Sequence, residues 1–417
     1  MIKKQFPELY YFAPSIIVGK EGQYYYAMKY KDKYPFIKSS DASRVIGEIV
    51  NKLERGVVFL EKGDYVIDGK DLVLQKKGSN LVFIGETDPK GREWNPSGTT
   101  HIILRNNGRL LDDGENWGYL KLKRIMITAE GEYSVVPLYF PKTVVDLEDC
   151  ILRDYVIHKT NSDQFIRGGS GGPPAKPCRW NDVMIVDGRR GGTLGYHTMI
   201  YLWYEGFVWD GCSILIDQSE SVEAPRFMHV VANTYAEIRN IDVYIANMVN
   251  KYNCFYWLDV DARLVNVQFP KYPDHVDRMI VTANYPKSIY LDNIRIAEAG
   301  PLTLVTVAGW SGGAPRIRYG ETYARSGLGT VNGDGSTTDF ALATHDLRPE
   351  VTDPSKVLVN VNPVSSDAIA GSPCSGYLSD ENSDGVYETI RVKFTNAPPP
   401  GTGNVKVAWE VRYFGTL

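Results

Sequence analysis

Three alternating runs in this 417-residue chain carry the side chains best suited to chemistry. In residues 197–203, taking Thr198, Ile200 and Leu202 as inward leaves His197, Tyr201 and Trp203 outward. In residues 227–233, Met228 and Val230 inward leave His229 and Asn233 outward. In residues 254–260, Leu258 and Val260 inward leave Trp257 and Asp259 outward, with Asp261 just beyond. Asp163, Arg167 and Arg278 flank these runs by the same rule. A one-residue slip would invert any of the assignments.

Aromatic faces stack on sugar rings, while carboxylates, amides and guanidinium groups hydrogen-bond hydroxyls and acidic groups. Glycoside hydrolysis needs two carboxyls about 5 to 9 Å apart. Asp259 and Asp261 share one strand and suit this only if the second bends round. A lyase needs a base and a charge-neutralising cation, types that His229 and Arg278 supply. The same residues also suit a plain solvated face or a non-catalytic glycan-binding groove.

A separate stretch has the oxygen spacing of a calcium loop. Asp380, Asn382 and Asp384 alternate, and Gly385 follows where a sharp turn is required. Arg391 rather than Glu stands at the twelfth position, so an acidic hairpin tip is the other reading. Calcium is the one cofactor this chain suggests; otherwise none is expected.

The elements that must position these residues follow a repeat. An apolar anchor, a polar residue, a residue that is usually Asn or Asp, and an apolar pair recur seven times between residues 120 and 296. The anchors are Leu122, Leu147, Trp180, Trp209, Ile238, Leu264 and Leu291. Subtracting each from the next gives 25, 33, 29, 29, 26 and 27 residues, the period of a solenoid. Short alternating runs inside each unit read as strands, and a polar residue fixed at one corner tolerates the left-handed bend there. The expected architecture is a parallel β-helix whose core no single coil could bury alone.

The opening run 56–67, followed by Leu72-Val73-Leu74 and 81–85, resembles the first turns of pectin-lyase-like right-handed β-helix proteins. That resemblance covers roughly residues 45–310 and implies three strands per coil, with the Asn corner joining the second to the third. It also implies that the runs beginning at 136, 163, 197, 227, 254, 278 and 302 are the first strands, whose outer face is where the family's enzymes work. The family's catalytic signatures are missing: there is no Asn-Thr-Asp, no Gly-His-Gly and no Arg-x-Pro-x-x-Arg. Residues 314–318, the nearest to the last, fall beyond the coils marked by the repeat.

Residues 1–45 read as a cap of two strands, followed by one amphipathic helix over 45–53 with Asp41 in its N-cap region. Residues 46–317 read as the β-helix and 318–417 as an antiparallel β-sandwich with strands near 338, 356, 389 and 405. The fold class is therefore all-β: a right-handed parallel β-helix solenoid between an N-terminal cap and a C-terminal sandwich. The layout is similar to fibres and spikes of viruses, including viruses of hot-living archaea.

Net charge of −4 and a pI near 6.0 argue against nucleic acid as a partner. Tyr is frequent, at 27 against 14 Phe, which suits wet, ring-lined surfaces. Five cysteines lack disulfide or zinc spacing, and Cys150 and Cys212 fall at the same apolar repeat position, as small core residues. No run approaches a membrane span, and the first residues lack the apolar stretch of a secretory signal. The expected function is a structural, receptor-binding virion protein, a homotrimeric fibre or spike on a virion or extracellular surface that attaches to cell-surface glycans. A polysaccharide lyase or glycoside hydrolase working in a groove of the solenoid is the rival.

Overall fold

The computed structural model describes residues 15–89, 98–115, 118–158, 164–169, 177–190, 198–218, 226–249, 251–270, 275–282, 288–292, 294–296, 305–307, 316–319, 324–345, 351, 353–363 and 374–413. The described residues are all-β apart from short helical pieces, and their main body is a parallel β-solenoid.

The anchor repeat is the register of that solenoid. Leu122, Leu147, Trp180, Trp209, Ile238, Leu264 and Leu291 pair in turn, each directly across from the next. All are buried, so the repeat is one apolar column along the core. The third residue of each repeat then turns the chain. Arg124, Asp149, Asp182, Asn240 and Asn266 have φ between 52° and 57°, and Gly211 has 67°. This left-handed bend costs least for Gly, Asn and Asp, which explains the composition of the corner. Asn266 Nδ2 donates to Asn240 Oδ1 at 2.9 Å, and Asn240 Nδ2 donates to Asp210 Oδ1 at 2.8 Å, tying three coils together.

Three parallel ladders result. One precedes the corner. The second follows it, through Gly63–Asp68, Thr100–Arg105, Met126–Tyr133, Ile151–His158, Met184–Asp187 and Ser213–Asp217. The third runs through Asp71–Gln75, Arg109–Asp112, Leu138–Phe140, Ile166–Gly168, the long strands Thr198–Asp210 and Arg226–Asn247, then Cys254–Asp259, Ile280–Thr282 and Val305–Val307. It realises the expected first strands within the described residues. Between the ladders the core of the later coils is aromatic: Phe227 and Phe255 stack at 4.7 Å, and Trp180 meets Phe207 edge-on at 5.4 Å.

One expectation is corrected. Arg316–Tyr319 pairs in parallel with Ser288–Asp292, so Arg316, Ile317 and Arg318 belong to the solenoid and do not lie beyond it. The repeat missed this strand because Tyr319, which continues the anchor column opposite Leu291, has no Asn corner after it.

At the other end, Ile16–Glu21 and Tyr24–Lys29 form a hairpin that turns at Gly22, and Ile16–Val18 also joins the first coil in parallel. The helix Ala42–Lys52 follows, capped by Asp41, whose carboxylate accepts from Ser43 N–H at 2.9 Å. Its Ala42, Val45, Ile46, Ile49 and Val50 are buried in the same apolar cluster as Leu72 and Leu74. Burial of each larger side chain stabilises by roughly 1.5–3 kcal/mol.

Past the solenoid lie two three-stranded antiparallel sheets. Ala324–Gly333, Gly401–Tyr413 and Val357–Pro363 make one, and Asp339–Thr344, Thr389–Phe394 and Cys374–Ser379 make the other. Val331, Val405 and Val407 of the first share an apolar cluster with Val392 and Phe394 of the second. All five cysteines are free, and burial pushes the thiols of Cys150 and Cys254 up to about 12, far from reactive.

Candidate functional site

The third ladder sets the outward side chains in straight rows. Tyr139, Arg167, Tyr201, His229 and Trp257 occupy equivalent positions on five successive coils. Each is half-buried, because parallel pairing places neighbours about 4.8 Å apart and the side chains cover one another. The row is bounded by Leu111 before Tyr139 and by fully buried Val281 after Trp257.

Its members touch in sequence. The Arg167 guanidinium lies 6.0 Å from the Tyr139 ring centre and 5.7 Å from that of Tyr201. Tyr201 meets His229 edge-on at 5.1 Å, and His229 meets Trp257 at 5.4 Å. Arg226, which the sequence reading did not single out, reaches over the Trp257 ring at 4.3 Å. Burial raises the Tyr201 phenol despite the opposing charge of Arg167. Arg167 carries no ion pair among the described residues, and its Nε has no hydrogen-bond partner there.

A parallel row holds Trp203, Val231 and Asp259. Trp203 is half-buried, and its indole N–H likewise has no partner among the described residues. Asp259 faces outward as expected but is only 8% exposed, a correction with a clear cause. One oxygen, Oδ2, lies 3.2 Å from His229 Nε2 and accepts from Trp257 Nε1 at 3.1 Å, so both rings close over the carboxylate. His229 itself is 18% exposed.

The geometry does not assemble the carboxyl pair or the base–cation pair considered for catalysis. Asp261 is exposed and accepts from Ser288 N–H on the following coil at 2.8 Å, whereas Asp259 is bonded to His229 and Trp257. Arg278 is exposed, and its carbonyl accepts from Phe255 N–H. It lies two coils and three residues from His229 by register, roughly 14 Å from coil spacing and strand rise. Asp163 and His197 lie outside the described residues. So do the side chain of Asn233 and most of the glycine-rich stretches 168–177 and 188–195.

Two polar clusters had no local sequence signal. Asp187, Arg189, Gln218 and Tyr252 are all fully buried. Arg189 donates from Nε and Nη2 to the two oxygens of Asp187 at 2.8 and 2.6 Å, and Tyr252 donates its hydroxyl to the same carboxylate. Burial opposes the charge on Asp187, but Arg189 and these hydrogen bonds outweigh it and hold the carboxyl below its usual range. Elsewhere His101, 5% exposed, bridges Asp64 at 3.2 Å and Thr128 at 2.8 Å across three coils. Burial lowers its basicity, against the pull of Asp64.

In the acidic hairpin, ligand oxygens of Asp380, Asp384 and Glu388 lie within 4.8 Å of one another. Glu388 is the addition to the sequence reading, whereas the Asn382 side chain bonds to Asp384 at 2.9 Å. The loop is closed by its own backbone: Gly385 N–H donates to Asp380 at 2.8 Å and Val386 N–H to Asp384 at 2.8 Å. Ser383 and Gly385 supply the left-handed turn.

No protein-family model matches this chain, and no curated protein does. Among solved structures it is similar to the tailspike gp61 of Pseudomonas phage phi297, at 7% identity and a TM-score of 0.35 over 86% of this chain and 67% of that one. It is also similar to the tailspike gp49 of Pseudomonas phage LKA1, at 12% identity and a TM-score of 0.32 over 87% and 68%. Likenesses this distant say nothing by themselves about what the chain binds.

Proposed function

We propose that this chain is a rigid glycan-attachment protein of the fibre or spike type, carried on a virion or other extracellular surface. The observation that carries the reading is the row Tyr139, Arg167, Tyr201, His229 and Trp257, five aromatic or cationic side chains in register on one stiff face. A sugar chain is bound by ring faces together with charged donors, and a stacked solenoid holds both without ordering cost on binding. The two small sheets after the solenoid serve as an end module, a β-sandwich. Tyr244, 56% exposed, and Val249, 50% exposed, leave apolar surface that packing of solenoids into a homotrimer would cover.

The rival reading, a lyase or glycosidase, has one observation in its favour: His229 is oriented by Asp259, as a general base would be. Among the described residues it lacks the partner groups. The coils before Asp259 place Val231 and Trp203 in its row, and Arg278 stands two coils and three residues from His229 by register.

The test is to incubate pure protein with acidic and neutral polysaccharides, reading reducing ends and the absorbance of unsaturated sugars beside the solution mass. A trimer that retains a polysaccharide without shortening it supports the proposal. Product formation that disappears in Asp259→Asn or His229→Ala overturns it.

A further inference from the structure

Resting on the glycan-binding reading, the order of side chains along the row limits which glycan fits. From Tyr139 to Trp257, rings and nitrogen-bearing groups alternate coil by coil: Tyr139, Arg167, Tyr201, His229, Trp257. At about 4.8 Å per coil, equivalent groups recur every ~9.6 Å along the solenoid axis. That is close to the length of two sugars in an extended chain. A polymer lying along the axis would therefore meet a ring with one sugar and a polar side chain with the next.

The charge of the polar slots is also defined. Arg167 is a permanent cation with no ion pair among the described residues, set between two tyrosine rings. His229 presents the rest of its imidazole beyond the Asp259 contact, and Arg226 brings a second guanidinium to the adjoining Trp257 ring. Among the described residues, the carboxylate bonded to the row, Asp259, is held by two donors and is 8% exposed. The face thus sets the Arg167 guanidinium and the His229 imidazole two steps apart, with aromatic rings at the steps between and the Arg226 guanidinium over the last of them.

We infer that the row takes an extended polysaccharide in which acidic and neutral sugars alternate, aligned with the solenoid axis. Four coil steps span about 19 Å, enough for roughly four sugars. A chain with an acid on every sugar would set half its carboxylates against rings, and a wholly neutral chain would offer no anion to Arg167.

Isothermal titration at low salt tests this with four named probes: hyaluronan and chondroitin, which alternate acidic and neutral sugars; polygalacturonate, acidic throughout; and cellohexaose, neutral. The expected result is that at least one alternating polymer binds tenfold or more tighter than the last two. That preference should shrink in high salt and in Arg167→Gln, a variant first shown to melt like the parent, and oligosaccharide affinity should level off near four sugars. If polygalacturonate or cellohexaose binds as tightly as either alternating polymer, the alternation inference is overturned while the glycan-binding reading stands. If no probe binds, both fall.

Discussion

His229 Nε2 lies 3.2 Å from Asp259 Oδ2, and Trp257 Nε1 donates to that same oxygen at 3.1 Å. One carboxylate on the coil after His229 therefore fixes the orientation of two ring members of the outer row. Asp259→Ala removes an acceptor from two half-buried donors, and an unmade hydrogen bond of this kind costs about 1–3 kcal/mol. The expected outcome is a lower melting temperature by scanning calorimetry, together with about tenfold weaker retention of the glycan. A variant with unchanged melting and unchanged binding would contradict the positioning role.

The buried Asp187–Arg189 pair makes the interior sensitive to a single substitution. Arg189→Met leaves Asp187 charged and uncompensated, which costs about 3–5 kcal/mol; Asp187→Leu with Arg189→Met together should recover part of that loss. Urea unfolding of the three proteins checks the order.

The same pair sets an acid limit. Because the folded carboxyl of Asp187 sits below its ordinary value, its contribution is present above the unfolded value near ~3.9 and is lost as pH falls through the lowered one. Stability measured from pH 6 to pH 2 should decline below about pH 4, less steeply in the double variant.

At the corners the prediction separates conformation from chemistry. Asn240 has φ 55° and donates to Asp210. Asn240→Gly keeps the bend available but loses two hydrogen bonds, the one to Asp210 and the one accepted from Asn266, so it should cost about 1–2 kcal/mol. Asn240→Val forces a β-branched residue into the left-handed region and should cost about 2 kcal/mol or more.

These corners also show what the sequence made legible. Anchor and bend are local features repeated at a regular period, so Leu122 through Leu291 could be aligned before any pairing was known. Alternation then gave the facing of Tyr201, His229 and Trp257, because strand side chains have a period of two. Arg226 was missed because it reaches Trp257 sideways across a coil, outside any alternation rule. The Asp187, Gln218 and Tyr252 cluster was missed because its members are 31 and 65 residues apart and meet only through stacking. The burial of Asp259 was equally hidden, since it depends on two rings folding over a residue that alternation places outside.

The acidic hairpin yields a prediction of the opposite sense. Asp380 and Asp384 already accept from the loop's own N–H groups, so the turn closes without an ion. Melting should be the same in calcium and in a chelator. A calcium-induced rise of several degrees that vanishes in Asp384→Ala would show that the loop holds the ion.

The most direct test of the account is covalent footprinting of the outer face by mass spectrometry, with and without a retained polysaccharide. The account predicts protection of Tyr139, Arg167, Tyr201, His229 and Trp257 together, with no shortening of the polymer and loss of protection in Tyr201→Ala. Protection confined to the two C-terminal sheets, with this row still reactive, would contradict it.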